Sequence, residues 1–389
     1  MNNWVNTLED GLQSFRDAVD ENGLSRPRYG GKGLDGLAKS IMEFLLSESG
    51  YLAEITPGRK KILFLIVDSF GVSTILKHID EIRDILEIVK YVDVFSSVAP
   101  STTATALATL ATGEPPGVHG VSGYRMYIKE LGAIVESLKI KKPSEEEKSF
   151  SLLLTDTIYE KLTSKDIKSY MVVGEWHLES IFTDELIRGS EIVKYVALSD
   201  AASRTLTALK NIEKGLVVSY WSELDDLSHV YGPSSLEVGA GLRMFSKYIR
   251  SIIEEATRMN SIVVITADHG QIDVKEETYI VDKPVMDKLI LPPFGERRFL
   301  YLIPDTDVYE DDLGELKDKA TIFGLDEYEK LFGRTPPRNV WTRFGRYVLA
   351  ALDGVIVSTK PPKEEEKKLL GHHGGLSPEE LAVPVMIFY

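Results

Sequence analysis

The sequence has no cysteine among its 389 residues. That excludes a disulfide framework, a Cys-ligated zinc site and a thiol nucleophile. Basic residues are also scarce: 45 Lys and Arg stand against 60 Asp and Glu, a net charge of -15. Non-specific nucleic-acid binding needs an electropositive face, so no nucleic-acid partner is expected. A small anionic substrate is still allowed, because bound metal ions reverse the local field. Long apolar runs are missing too, and none approaches the roughly 20 residues that span a bilayer. The segment 1–15 is polar and acidic, without the basic-then-apolar order of a secretory signal. The expectation is a cytoplasmic protein with no membrane partner, its oligomeric state left open.

What is present is ordinary for a globular chain, 43% hydrophobic and 27% charged. Residues 1–57 read as a helical leader packed on the main body, with Leu37, Ile41, Phe44 and Leu45 at helical spacing. Pro57-Gly58 then breaks the chain. Ile62–Val67 is a continuous apolar run, the mark of a strand buried on both faces. Similar runs recur at Val92–Val98, Tyr170–Val173, Leu216–Trp221, Ile262–Thr266 and Ala382–Phe388, with helical stretches expected at 151–163 and 235–258. Strands alternating with helices predict an α/β doubly wound, mostly parallel sheet. Residues 58–270 plus 371–389 form the expected core. Residues 271–370, with Pro292-Pro293, Pro336-Pro337 and the run KEEEKK at 363–368, read as an inserted cap lobe. KKPSEEEK at 141–148 reads as a solvated loop.

Reactive residues cluster just after the apolar runs. Asp68 follows the first, Asp225 and His229 follow Leu216–Trp221, and Asp268-His269 follows Ile262–Thr266. In open α/β sheets ligands bind beyond the carboxyl ends of the strands, so these side chains converge on one edge. Singly, each has a plainer explanation: an Asp after a strand most often caps a helix. Thr102 and Thr103 open a small-residue helix that Gly113 ends. Its free N–H groups and dipole favour an anion, and a Thr hydroxyl there is placed to attack phosphorus if a metal lowers its pKa. Asp225 or Asp226, with Glu223 nearby, pairs with His229 across one helical turn or a tight loop. His372 and His373 lie in a glycine-rich loop before the last strand.

In order along the chain stand Asp68, Pro100-Ser101-Thr102-Thr103, Thr112-Gly113, His119-Gly120, Asp225 to His229 with Gly232-Pro233, Ala267-Asp268-His269-Gly270, and Gly371-His372-His373-Gly374. This ordered set resembles the alkaline-phosphatase superfamily, and within it the type I phosphodiesterase/nucleotide pyrophosphatase family, over about 60–270 and 371–389. The resemblance implies Thr103 as the nucleophile. It also implies two divalent metal ions, zinc first and manganese or magnesium next. Asp225, His229 and His373 would hold one ion, and Asp68, Asp268, His269 and the Thr103 oxygen the other. The implied function is hydrolysis of phosphodiester or pyrophosphate bonds in a small phosphorylated substrate, nucleotides included, through a phospho-threonine intermediate.

Two positions depart from the nucleotide-hydrolysing pattern. Ala106 stands where many members have a phosphate-binding Asn, and Ala104 where many have an aromatic residue. Tyr124 is the candidate substrate contact that substitutes. The alternatives are a phosphomonoesterase or phosphomutase of the same superfamily, and a non-catalytic metal-binding relative. A monoesterase needs further positive charge, for which Arg125, Arg204, Arg297 and Arg298 are candidates.

Overall fold

The computed structural model describes residues 2–141, 150–274, 278–360 and 369–389. The KEEEKK run and all but the first residue of 141–148 lie outside these. Lys61–Val67 (β1) is buried from Ile62 onward. A strand with no polar face needs partners on both edges and cover on both faces, and β1 has them. With it in one sheet are Tyr91–Ser96 (β2), Lys168–Gly174 (β3), Glu191–Tyr195 (β4), Gly215–Trp221 (β5) and Ser261–Thr266 (β6). Four further strands form a separate sheet: Phe294–Glu296 (β7), Phe299–Leu302 (β8), Ala320–Phe323 (β9) and Tyr347–Ala351 (β10). Ala382–Phe388 (β11) returns to the first sheet.

The large sheet runs β2-β11-β6-β1-β5-β3-β4. Pairings from β6 to β4 are all parallel, and β11 lies antiparallel between β2 and β6. The fold is thus a mixed α/β one with a mostly parallel central sheet, helices around it and small additional sheets. β1, β5 and β6 are neighbours that point the same way. Their carboxyl ends, at Val67, Trp221 and Thr266, therefore share one edge.

Two elements differ from the expectation. The helix of 151–163 begins only at Ile158, where Thr157 and Glu160 form a reciprocal capping box. The preceding chain is irregular and bent instead, its Leu152 and Leu153 amides donating to Glu185. β4 carried no strong apolar signal. It is an edge strand exposed along most of its length, so its residues EIVKY never needed to be apolar.

The opposite edge, β2, is covered by the N-terminal segment. The Ser96 amide donates to Lys32 O at 2.8 Å and Lys32 pairs with Asp93. The small sheet runs β7-β8-β10-β9, all antiparallel, and alternates its faces. Phe299, Tyr301, Val348 and Ala350 join the main core, while Leu300, Leu302, Leu349 and Ala351 build a second cluster with Val281, Val285 and Leu313.

The turns after β1 and β6 meet through glycine backbone. A Cβ on Gly71 would lie 2.5 Å from Gly270 Cα, and one on Gly270 would lie 2.1 Å from Glu379 O. Gly270→Ala is therefore expected to destabilise the fold by at least about 1–3 kcal/mol. At Gly31 an added Cβ meets nothing within 4 Å, and Gly31→Ala should stay within about 0.5 kcal/mol. Denaturant unfolding measures both; equal losses would contradict this packing.

Candidate active site

The Thr103–Thr112 helix begins beside the shared strand edge. Its N-cap, Thr102, makes no side-chain cap, so the first-turn N–H groups have no capping side chain to bind. Thr103 is the first helical residue, and its Oγ1 lies 3.2 Å from His269 Nε2. Gly113 ends the helix at φ 71°. Behind it His119 is fully buried. Its Nδ1 accepts the Val121 N–H at 3.1 Å, so its Nε2–H donates to Thr109 Oγ1 at 2.9 Å. Burial holds this imidazole down at a pKa of about 3. The Thr112-Gly113 and His119-Gly120 motifs thus anchor the back of the helix that presents Thr103.

The structure brings Asp68, Asp268 and His269 into one group, and Asp225, His269 and His373 into a second, with ligand atoms within 4.8 Å of one another in each. His229, on the Glu223–Tyr231 helix, puts Nε2 3.4 Å from Asp225 Oδ2. Asp226 on the next position is exposed. His373 Nε2 lies 3.8 Å from Asp225 Oδ1. His372 sits instead in a two-residue strand paired with Ile272–Asp273.

The hydrogen bonds fix the tautomers. His269 Nδ1 faces Gly270 O at 3.1 Å, His229 Nδ1 faces Gly371 O at 2.8 Å, and His373 Nδ1 faces Ser101 O at 3.1 Å. A carbonyl only accepts, so each Nδ1 carries a hydrogen, and a neutral ring then keeps its lone pair on Nε2. Those lone pairs turn toward carboxylates. His269 Nε2 is 3.5 Å from Asp68 Oδ1 and 3.6 Å from Asp268 Oδ2, and both oxygens are buried without a hydrogen-bond partner among the described residues. Burial keeps His269 at a pKa of about 4 and His373 at about 3, so neither supplies a proton at neutral pH. Lone pairs facing lone pairs in a dry site repel unless a proton or a metal ion lies between them. The donor set of imidazole nitrogen and carboxylate oxygen fits divalent zinc.

The other oxygen of each buried acid is held by protein. Asp268 Oδ1 accepts from the Ser69 amide at 3.2 Å and its own neighbour's amide at 2.9 Å. Asp68 Oδ2 accepts from the Tyr220 hydroxyl. Tyr220 is a contact that sequence reasoning missed. In the sequence it is one position of the apolar run Leu216–Trp221, yet its hydroxyl reaches the site. Burial, then the charges of Asp268 and Asp225, pushes the Asp68 carboxyl well above the usual range. Burial and Asp225 raise Asp268 to about 6.

Two cavities meet at Thr103. One, of about 700 Å³, is lined by Thr103, Tyr124, Arg125, Glu296, His229 and His373. The other, of about 430 Å³, is apolar, with Leu107, Leu110, Met171, Trp176 and Phe182 in its walls. Tyr124 lines the polar cavity, its hydroxyl donating to Glu136 at 2.7 Å and its amide to Glu296 at 2.7 Å. Of the four candidate arginines, Arg125 and Arg297 line this cavity. Arg298 does not serve substrate, being fully buried against Glu380, and Arg204 is exposed on a helix.

A model of the type I phosphodiesterase / nucleotide pyrophosphatase family matches residues 62–376. The chain belongs to that family. It is a hydrolase of the phosphodiesterase/pyrophosphatase type within the alkaline-phosphatase superfamily. Members depend on metal ions, and the two ligand groups are this chain's candidates for them. Among solved structures, murine ectonucleotide pyrophosphatase / phosphodiesterase 5 shares the fold with a TM-score of 0.64 at 18% identity, over 84% of this chain and 88% of that one. An inactive form of the same mouse protein, in complex with AMP, gives 0.63 at 17% identity, over 84% and 87%. Phosphonoacetate hydrolase from Sinorhizobium meliloti, in complex with phosphonoacetate, gives 0.64 at 18% identity, over 85% and 90%.

The acids predict a pH dependence for metal binding to this hydrolase. Asp268 is raised, so without metal its protonated form favours the fold below about pH 4, and that stability is lost as pH rises through about 6. A cation removes the cost. The rise in melting temperature on adding zinc should therefore be larger at pH 7 than at pH 5. An equal rise at both would contradict the assignment. Tyr220→Phe should weaken zinc binding by about tenfold in calorimetric titration; an unchanged Kd would show that the phenol does not tune Asp68.

Proposed function

We propose that the chain hydrolyses phosphodiester or phosphoanhydride bonds in small phosphorylated molecules, nucleotides included, with two zinc ions and a phospho-threonine intermediate at Thr103. The observation that carries this reading is the pair of buried carboxylate oxygens, without a hydrogen-bond partner among the described residues, that face the His269 Nε2 beside Thr103 Oγ1, with His229 and His373 turned by backbone carbonyls toward Asp225. Asp68, Asp268, His269 and Thr103 would hold one ion, and Asp225, His229 and His373 the other. The ions supply positive charge to the phosphoryl oxygens and lower the pKa of the Thr103 hydroxyl.

The chain's own groups do the rest. The helix N-terminus under Thr103 offers N–H groups to a phosphoryl oxygen, which stands in for the Asn absent at Ala106. Thr103 Oγ forms a bond to phosphorus as the bond to the leaving oxygen breaks in line. Water then cleaves the phospho-threonine ester and returns Thr103 as the alcohol. The apolar cavity offers room for an organic group on the phosphate, and the polar one for the rest of the substrate. AMP in the mouse relative and phosphonoacetate in the bacterial one are small anions of matching chemistry.

Monoester hydrolysis is the second reading, and Arg125 favours it. Arg125 lines the cavity with Thr103, where its charge also acts on Glu136 and Glu296. Parallel assays of bis-p-nitrophenyl phosphate and p-nitrophenyl phosphate, with and without chelator, decide between the two. The diester is expected to be preferred and the chelator to stop turnover; a clear monoester preference overturns the first reading. Thr103→Ala is expected to lower kcat at least about a thousandfold while zinc still binds. Full activity in that variant would end the proposed mechanism.

A further inference from the structure

We propose that the buried ion pair of Arg298 and Glu380 is a positioning element for His373, tying the β7–β8 hairpin to the candidate metal centre. The inference rests on the reading of His373 as a metal ligand. Neither side chain of the pair exposes any surface. Arg298 Nε donates to Glu380 Oε1 at 2.8 Å and Nη2 to Oε2 at 3.1 Å, while Nη1 donates to Val355 O at 2.7 Å. Glu380 Oε1 also accepts the Gly375 amide at 2.8 Å, and Oε2 the Ser377 amide at 3.2 Å. One carboxylate thus joins the hairpin, the loop after His373 and the turn before β11.

Stability alone does not explain such a pair. Desolvating two charges costs several kcal/mol each, and a well-packed apolar pair is often at least as stable. Geometry does explain it. Gly375 is gripped on both sides, its N–H by Glu380 and its carbonyl by the Ser101 hydroxyl at 2.8 Å. The Gly374 amide donates to the same hydroxyl at 3.2 Å, and the Ser101 carbonyl receives His373 Nδ1–H at 3.1 Å. Ser101 stands two residues before Thr103. The orientation of the His373 ring and the entry of the nucleophile helix therefore share one network, and Glu380 closes it. The same hairpin puts Glu296 against Gly374 and into the polar cavity wall. The segment that shapes the substrate cavity also sets the imidazole. Groups that orient metal-ligating imidazoles typically change metal affinity by about 10–100-fold when removed.

The test is zinc titration of the metal-free, full-length protein by calorimetry, with melting temperature measured alongside. Glu380→Gln leaves Arg298 buried and uncompensated, so a fold defect would mask its effect. The informative variant is Arg298→Met with Glu380→Met, which keeps the volume apolar and withdraws the acceptor from Gly375. The metal-free double variant loses the acceptor of the Gly375 and Ser377 amides and is expected to melt below the wild-type temperature, and while folded to bind one zinc about 10–100-fold more weakly, with the other unchanged. Ser101→Ala removes the second grip on Gly375 by deleting one atom, and should weaken the same zinc even if the double variant fails to fold. Wild-type affinity for both ions in a folded double variant, or in Ser101→Ala, overturns the inference and leaves the proposed function standing. No zinc binding by the wild-type protein overturns the metal reading, and this inference with it.

Discussion

Two buried acids, Asp68 and Asp268, and a half-buried third, Asp225, are pressed toward one another around His269, and their repulsion is the constraint the surrounding core answers. Burial alone raises a carboxyl's pKa, and neighbouring like charges raise it further. Asp68 and Asp268 both show that direction. The protein satisfies only half of each group. One oxygen of Asp268 takes two backbone amides and one of Asp68 takes the Tyr220 hydroxyl, while the remaining two face an imidazole lone pair. An arrangement that costs stability in the absence of cations persists only where the scaffold over-determines it.

The scaffold does so through parallel topology. Adjacent β1, β5 and β6 end on the same edge, so the acids of three separate segments meet without long side chains. Backbone carbonyls of three loops then set the imidazole tautomers, and the close glycine approach of Gly71 and Gly270 lets the two turns touch. The Thr112-Gly113 and His119-Gly120 motifs stand away from the chemistry, yet His119 pins the helix whose first residue is Thr103. Order along the chain becomes proximity in space because each motif sits at an element's end.

Much of this was legible in the sequence because buried parallel strands leave unbroken apolar runs. Ile62–Val67 and Ala382–Phe388 show it most plainly. The edge strand β4 left no such mark, since neither face is fully covered. The stretch 151–157 carries an apolar pattern that suggests a helix, but Glu185 holds its amides in a bent loop and the capping box starts the helix only at Ile158. Within the site, residues at strand ends were visible and those acting through them were not. Tyr220 was hidden in an apolar run. Arg298 and Glu380 lie 82 positions apart, and no local spacing announces a pair that only tertiary packing creates. Arg298 is, by sequence, one of four candidate arginines for a substrate phosphate, a role its complete burial rules out.

Under the proposed function these acids and imidazoles arm one hydroxyl, that of Thr103. Acid quenching of the zinc-loaded protein during turnover of bis-p-nitrophenyl phosphate, followed by peptide mass spectrometry, tests it directly. One phosphoryl group is expected on the peptide that begins the helix, localised to Thr103. Phosphorylation of another residue, or none on Thr103 while single-turnover kinetics show an accumulating enzyme intermediate, would contradict it.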